Sequence, residues 1–249
     1  MTRNDFHKLF KATGPVVLPV IHVLDTPRTL ENIRILLGEG AAGCFLINHD
    51  FGVPEFEPII RGVREAFPSL WMAVNFLAVT GRDAFPVLGN LQADGCQVDG
   101  YWADDARIAE LSDIQREANV IDKARETSGW HGLYFGGTAF KKQREVDPAN
   151  YELAARKACA HMDVITTSGV ATGHEADLSK IEAFRAGIGE RPLALASGIT
   201  PDNAHAYADV DCFMVATGIN HEGNFYDIDP VRLNRLMRIT RQLGGGTPS

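Results

Sequence analysis

The chain has 249 residues, of which 45% are hydrophobic and 22% charged, with a formal net charge of −8. That balance suits a globular protein able to bury a large core, and the acidity excludes a broad surface for nucleic acid or anionic membrane. It does not exclude an anionic ligand, because backbone N–H groups bind phosphate locally whatever the global charge.

From the N-terminus, MTRNDFHKLF reads as an amphipathic helix rather than a signal peptide. No apolar run approaches the roughly 20 residues needed to span a bilayer, so no membrane insertion and a cytoplasmic location are expected. Eight β-type runs follow, each succeeded by a helical or mixed stretch. They are VVLPVIHV (16–23), GCFLIN (43–48), LWMAVNFL (70–77), GCQVDGY (95–101), HGLYFGGTAF (131–140), DVITTSG (163–169), PLALASG (192–198) and CFMVATG (212–218). Most are continuously apolar rather than alternating, as in parallel strands buried on both faces.

Between these runs, TPRTLENIRILLGEG predicts a helix with Thr26 at its N-cap, and VPEFEPIIRGVREAF and LSKIEAFRAGI carry the helical period. Asp177 is placed to cap the last of these, and Asp229 with Pro230 starts the final helix. The segment ADDARIAELSDIQREANVIDKARETSG makes an enlarged loop between strands four and five, with a helix of its own. Eight βα units predict a (β/α)8 TIM barrel with an N-terminal helix, residues 1–249 forming one domain. A doubly wound open sheet is the alternative.

Cys44, Cys96, Cys159 and Cys212 lack zinc or disulfide spacing and read as small buried thiols. No metal-spaced motif supports a metal at Asp50, Asp99 and the histidines. Nothing resembles GxGxxG, so no flavin or nicotinamide cofactor is expected.

Active sites of such barrels lie at the C-terminal strand ends. Those ends hold His22, Asn48-His49-Asp50, Asn75, Asp99, Thr138 and Lys141-Lys142. Asp99 is the candidate general acid or base, His22, Asn48 and Asn75 would orient a substrate, and Lys141 would stabilise developing negative charge. Each has a structural alternative: a satisfied core histidine at His22, a loop-bonded carboxylate at Asp99, a solvated charge run at KKQRE.

Three echoes are more telling: TTSGVATG (166–173), LASGIT (195–200) and VATGIN (215–220). Glycine lets backbone N–H groups approach a phosphate, and Ser or Thr adds a hydroxyl donor. Barrels frequently bind phosphate with the loops after strands seven and eight. Ser168, Gly169, Thr172, Gly173, Ser197, Gly198, Thr217 and Gly218 are therefore the candidate phosphate- or substrate-binding set. The alternative reading is three tight turns between strand and helix.

These segments, from DVITTSGVATGHEADLSKIEAFR through RPLALASGITPDNAHAYADVDCFMVATGIN to DPVRLNRLM, resemble the C-terminal half of the BtpA/SgcQ family of TIM-barrel-like proteins. Weaker similarity covers VIHVL, GCFLINHDFGVPEF, AVNFL, CQVDG and GGTAFKK. The resemblance implies a barrel, and either a photosystem I biogenesis factor or a nucleosidase or sugar-phosphate enzyme related to phosphoribosylanthranilate isomerase. The family's Pro-rich first loop is here VLDTPRT, its Glu-Asn is Asn48-His49, its Arg-x-Asn is Gln97-Val98-Asp99, and its strand-five Asp is Gly137, while its following Lys is matched by Lys141.

The expected function is that of an enzyme acting on a phosphorylated ribose- or nucleotide-like molecule, with nucleosidase-like C–N cleavage favoured. A sugar-phosphate isomerase and a non-catalytic assembly factor are the alternatives. The small phosphorylated substrate is the expected partner, and VRLNRLMRITRQL is a helix that could either form a homo-oligomer interface or pack on the barrel.

Overall fold

Eight parallel strands follow one another around a closed barrel in the computed structural model, which describes residues 1–141, 143–171 and 173–244. They are β1 (Val16–Val23), β2 (Gly43–Asn48), β3 (Trp71–Asn75), β4 (Gly100–Ala103), β5 (Leu133–Gly137), β6 (Val164–Thr167), β7 (Leu193–Ala196) and β8 (Cys212–Val215). The seam closes where Val16 and Leu18 of β1 stand opposite Cys212 and Met214 of β8. This is the (β/α)8 barrel that the alternating pattern predicts, and closure rules out the open sheet.

The helices are α1 (Arg3–Leu9), α2 (Thr26–Gly38), α3 (Val53–Ala66), α4 (Gly81–Ala93), α5 (Arg116–Ser128), α6 (Tyr151–Ala158), α7 (Leu178–Ile188) and α8 (Pro230–Leu243). A short 3-10 turn, Ala204–Tyr207, connects β7 to β8. Strand residues alternate between two cores, as a barrel requires. Leu18, Val20, Phe45, Phe135 and Met214 fill the barrel, while Ile21, Leu46, Val74 and Phe213 pack outward beneath the helices.

Asp177 and Asp229 cap α7 and α8 as expected, accepting from Ser179 N and from Val231 N and Arg232 N respectively. At α2 the cap is Asp25, not Thr26: its carboxylate accepts from Arg28 N, and Thr26 becomes the first helical residue. A carboxylate one residue earlier satisfies the same orphan amides and adds charge at the positive helix end. The enlarged loop precedes α5 and is folded around Gln115, whose side chain bonds Ala109 N, Ala109 O and Ser112 O.

β4 departs from its prediction. The apolar run places it at 95–101, whereas the ladder begins at Gly100, opposite Ala73. Asp99 starts it by accepting Met72 N at 2.9 Å and Arg64 Nη2 at 2.7 Å. Asp163 and Asp211 do the same before β6 and β8: each accepts the N–H of Tyr134 or Leu193, at the start of the preceding strand, and an arginine of the helix before that strand, Arg125 of α5 or Arg185 of α7. These three carboxylates all stand at the N-terminal end of the barrel.

α1 closes that same end. Phe6 is fully buried in the barrel core, its ring centroid 6.3 Å from that of Phe135. Arg3 and His7 from the same helix reach Asp211 at 2.8 and 2.9 Å. Burial works to raise the Asp211 pKa, but hydrogen bonds from His7, Leu193 N and Arg185, with the Arg185 charge, outweigh it and hold the carboxyl at about 2.

Candidate active site

The C-terminal strand ends surround a cavity of about 100 Å³, lined from β1 by His22, from β4 by Trp102 and Asp104, and from the β5 loop by Lys141. Gly173, Ser197, Gly198, Thr217 and Gly218 line it from the loops after β6, β7 and β8, and His49 and Phe225 complete it.

His22 is positioned by the loop that leaves β8. Its Nδ1 stands 2.8 Å from Phe225 O, and the Phe225 ring stacks on it at 3.8 Å. A carbonyl only accepts, so Nδ1 carries a proton and donates it to Phe225 O. His49 meets His22 edge-on at 4.8 Å. The loop itself is pinned to α2, where Arg28 donates to both oxygens of Asp227. Asn32 donates to Tyr226 O and accepts from Ile228 N. Asn220 Nδ2 gives Phe225 O a second donor at 3.0 Å.

Asp104 is buried at the end of β4, and Asn75 Nδ2 donates to its Oδ1 at 3.2 Å. A Cβ on Gly137 would lie 2.0 Å from Asp104 O, so only glycine lets β5 come so close. Gln143 Nε2 bridges Asp104 O and Gly137 O, both at 2.7 Å, fixing the carboxylate's backbone.

The hydroxyl–glycine loops pack on one another. A Cβ at Gly169 or Gly198 would lie 2.3 or 2.2 Å from His174 O, and one at Gly218 would lie 1.9 Å from Ile199 O. Loop six thus rests on loop seven, and loop eight on loop seven. Ser197 takes an uncommon φ of 140° and accepts from Gly169 N at 3.3 Å. Tight backbone approach explains these glycines at least as directly as anion binding does.

The structure brings together only part of the candidate set. His22, Lys141, Gly173, Ser197, Gly198, Thr217 and Gly218 share the cavity. Ser168 is fully buried; its hydroxyl accepts from Lys141 N and donates to Gly169 O, so it builds the loop instead of facing a ligand. Gly169 lines a neighbouring cavity of about 210 Å³ with Lys180. Thr172 and Lys142 lie outside the described residues. Asn48 is turned away, donating to Phe51 O and accepting from Leu77 N, which ties the β2 loop to the end of β3. Asn75 serves Asp104 from inside the barrel.

Asp99 is corrected outright as a site residue. It stands at the barrel's opposite end, where Arg64 and Met72 N hold its carboxylate. The carboxylate that does reach the cavity is Asp104, which the sequence reading missed. The signal was present: the apolar run continues through Tyr101, Trp102 and Ala103 before Asp104 ends it. Phe225 and Trp102 carried no comparable signal.

Lys180 is nine-tenths buried and donates to Ala139 O at 2.6 Å and Ser168 O at 2.8 Å, joining the loops after β5 and β6. Burial lowers its pKa to about 8. All four cysteines are free thiols, and burial pushes that of Cys44 up to about 12. Among the described residues, no group of three or more His, Cys, Asp and Glu side chains gathers to hold a metal ion, and no helix is long and apolar enough to cross a membrane.

No protein-family model matches the chain, and no curated protein matches it in sequence. Solved structures do. The tryptophan synthase alpha chain from Legionella pneumophila subsp. pneumophila superposes with a TM-score of 0.67 at 17% identity, covering 100% of this chain and 99% of that one. A phosphoribosyl anthranilate isomerase from Thermus thermophilus gives 0.59 at 15% identity, over 92% and 99%. A structure described as native KDPGal gives 0.63 at 9% identity, over 92% and 96%. At these identities the likeness establishes the TIM-barrel fold.

Proposed function

We propose that the chain, as one barrel domain, is a cytoplasmic enzyme acting on a phosphorylated ribose- or nucleotide-like molecule, in line with its resemblance to the BtpA/SgcQ family. The observation that carries this is one cavity in which the hydroxyl–glycine ends of β7 and β8 face His22, Asp104 and Lys141. The phosphate lies against Ser197, Gly198, Thr217 and Gly218, where barrels of this fold frequently bind it. The reaction is nucleosidase-like. Water attacks C1′ of the ribose, the C–N bond breaks, and the proton passes from water through Asp104 to the departing base. Lys141 supplies positive charge against the negative charge that develops there. Asp104 thus takes the role first given to Asp99, and Asn75 keeps its orienting role by holding Asp104.

Isomerisation of a sugar phosphate is the second reading. His22 and Asp104 face one cavity from β1 and β4, as a proton transfer between adjacent carbons requires, and one of the similar solved structures is a phosphoribosyl anthranilate isomerase.

Thermal unfolding against ribose 5-phosphate, nucleoside monophosphates and their unphosphorylated forms tests the proposal. A ligand at ~100 times its Kd adds about 2.7 kcal/mol of apparent stability. Stabilisation by the phosphorylated forms alone is the expected result, and release of free base from a nucleoside monophosphate separates the two readings. No stabilisation by any phosphate compound defeats both.

A further inference from the structure

The inner end of the cavity carries a feature that anion binding does not explain. Trp102 stands on β4, across the closed barrel from the loops of β7 and β8. Its indole is only 5% exposed and meets Phe45 and Phe140 at centroid distances of 6.0 and 5.8 Å, yet it lines the cavity. Its Nε1 is buried and has no hydrogen-bond partner among the described residues. A buried indole N–H ordinarily finds an acceptor. Trp130 follows that rule, donating to Val98 O at 2.8 Å.

Asp104, two residues on, shares the inward face of β4 by strand periodicity and lines the same cavity. Asn75 holds one of its oxygens. An indole only donates and a carboxylate only accepts. The small group that serves both at once is a hydroxyl, which accepts from the first and donates to the second.

We infer that the cavity takes a two-ended molecule: an anion at the loops after β7 and β8, and opposite it a hydroxyl that accepts from Trp102 Nε1–H and donates to Asp104. This rests on the proposed anion site and narrows its substrate to a phosphorylated polyhydroxy compound, a sugar phosphate. A phosphate ester of an apolar alcohol leaves the indole N–H unpaired, so Trp102 is the residue that selects against it.

The test is a titration of 15N-labelled protein, followed at the indole signals of the three tryptophans and the backbone amides of Gly198 and Gly218. The probes are ribose 5-phosphate and inorganic phosphate. Both are expected to shift the glycine amides, and only ribose 5-phosphate to move the Trp102 indole proton downfield. Trp102→Phe, which keeps the ring and loses the donor, is expected to weaken ribose 5-phosphate binding about tenfold and leave inorganic phosphate unchanged. Glycine amides that shift with ribose 5-phosphate while the Trp102 indole stays still overturn the inference and spare the anion site. Equal weakening of both ligands by Trp102→Phe also overturns it, because the indole is then only packing. Glycine amides unmoved by either ligand overturn the anion site itself, and this inference with it.

Discussion

At the N-terminal end of the barrel, Asp99, Asp163 and Asp211 each accept one strand N–H and one arginine from the neighbouring helix. At the C-terminal end, Asn75 Nδ2 donates to Asp104 and His22 Nδ1 donates to Phe225 O, and both side chains line a cavity. Both ends place a carboxylate beside a strand. What differs is position: Asp99, Asp163 and Asp211 precede their strands and tie a helix to the neighbouring one, whereas Asp104 follows its strand and lines a cavity. A carboxylate that starts a strand is spent on register and helix attachment, whereas one that ends a strand is available for chemistry.

That contrast can be broken by substitution. Asp211→Asn should have the largest effect, because Asp211 is fully buried and gathers Arg3, His7, Arg185 and Leu193 N. Removing one partner of a buried ion pair costs about 3–5 kcal/mol, so the urea midpoint should fall steeply while affinity for a phosphate compound is kept by the protein that remains folded.

Asp104→Asn should act on the chemistry instead, with turnover of a nucleoside monophosphate falling about a hundredfold or more. A variant that keeps full turnover removes Asp104 from the chemistry. The acid limb of stability sharpens the same comparison. The Asp211 carboxyl sits at about 2 in the folded chain, against about 3.9 unfolded. Its contribution, roughly 2–3 kcal/mol, is therefore complete above about pH 5 and is lost as pH falls towards 2. Stability measured from pH 6 downward should show this loss in the parent and a shallower one in Asp211→Asn.

Asp99→Asn is expected to cost about 1–2 kcal/mol, since its ion pair with Arg64 is partly exposed, and to leave turnover intact. The smallest effect should come from Thr217→Val, which removes one hydroxyl from the anion end. Affinity for inorganic phosphate should fall severalfold without a change in melting temperature.

Much of this architecture was legible. The strands at 16–23 and 43–48 match their sequence runs because those runs are apolar but for His22 and Asn48 near their ends and stop where a polar loop begins. The α7 and α8 caps were legible because Asp177 and Asp229 stand directly before helical periods. β4 was not, because Cys96 and Val98 are as apolar as strand residues although they lie before the ladder. A shift of that one strand moved the candidate carboxylate from one end of the barrel to the other. Ser168 and Asn48 were misread for a different reason: residue type at a strand end does not say whether a hydroxyl or amide faces the ligand or the neighbouring loop. Phe225 was invisible because its place over His22 depends on Arg28 and Asn32, far away in the chain.

The docking of α1 on Asp211 sets an order of assembly. Arg3 and Asp211 are 208 positions apart, and β1, the first strand made, has its outer partner in β8, one of the last. During synthesis α1 and β1 therefore wait, with Phe6 and one edge of β1 uncovered, until Asp211 and β8 have been made. The β1–β8 seam is thus a pairing of high sequence separation, the kind whose loop-closure entropy must be met before its contacts form.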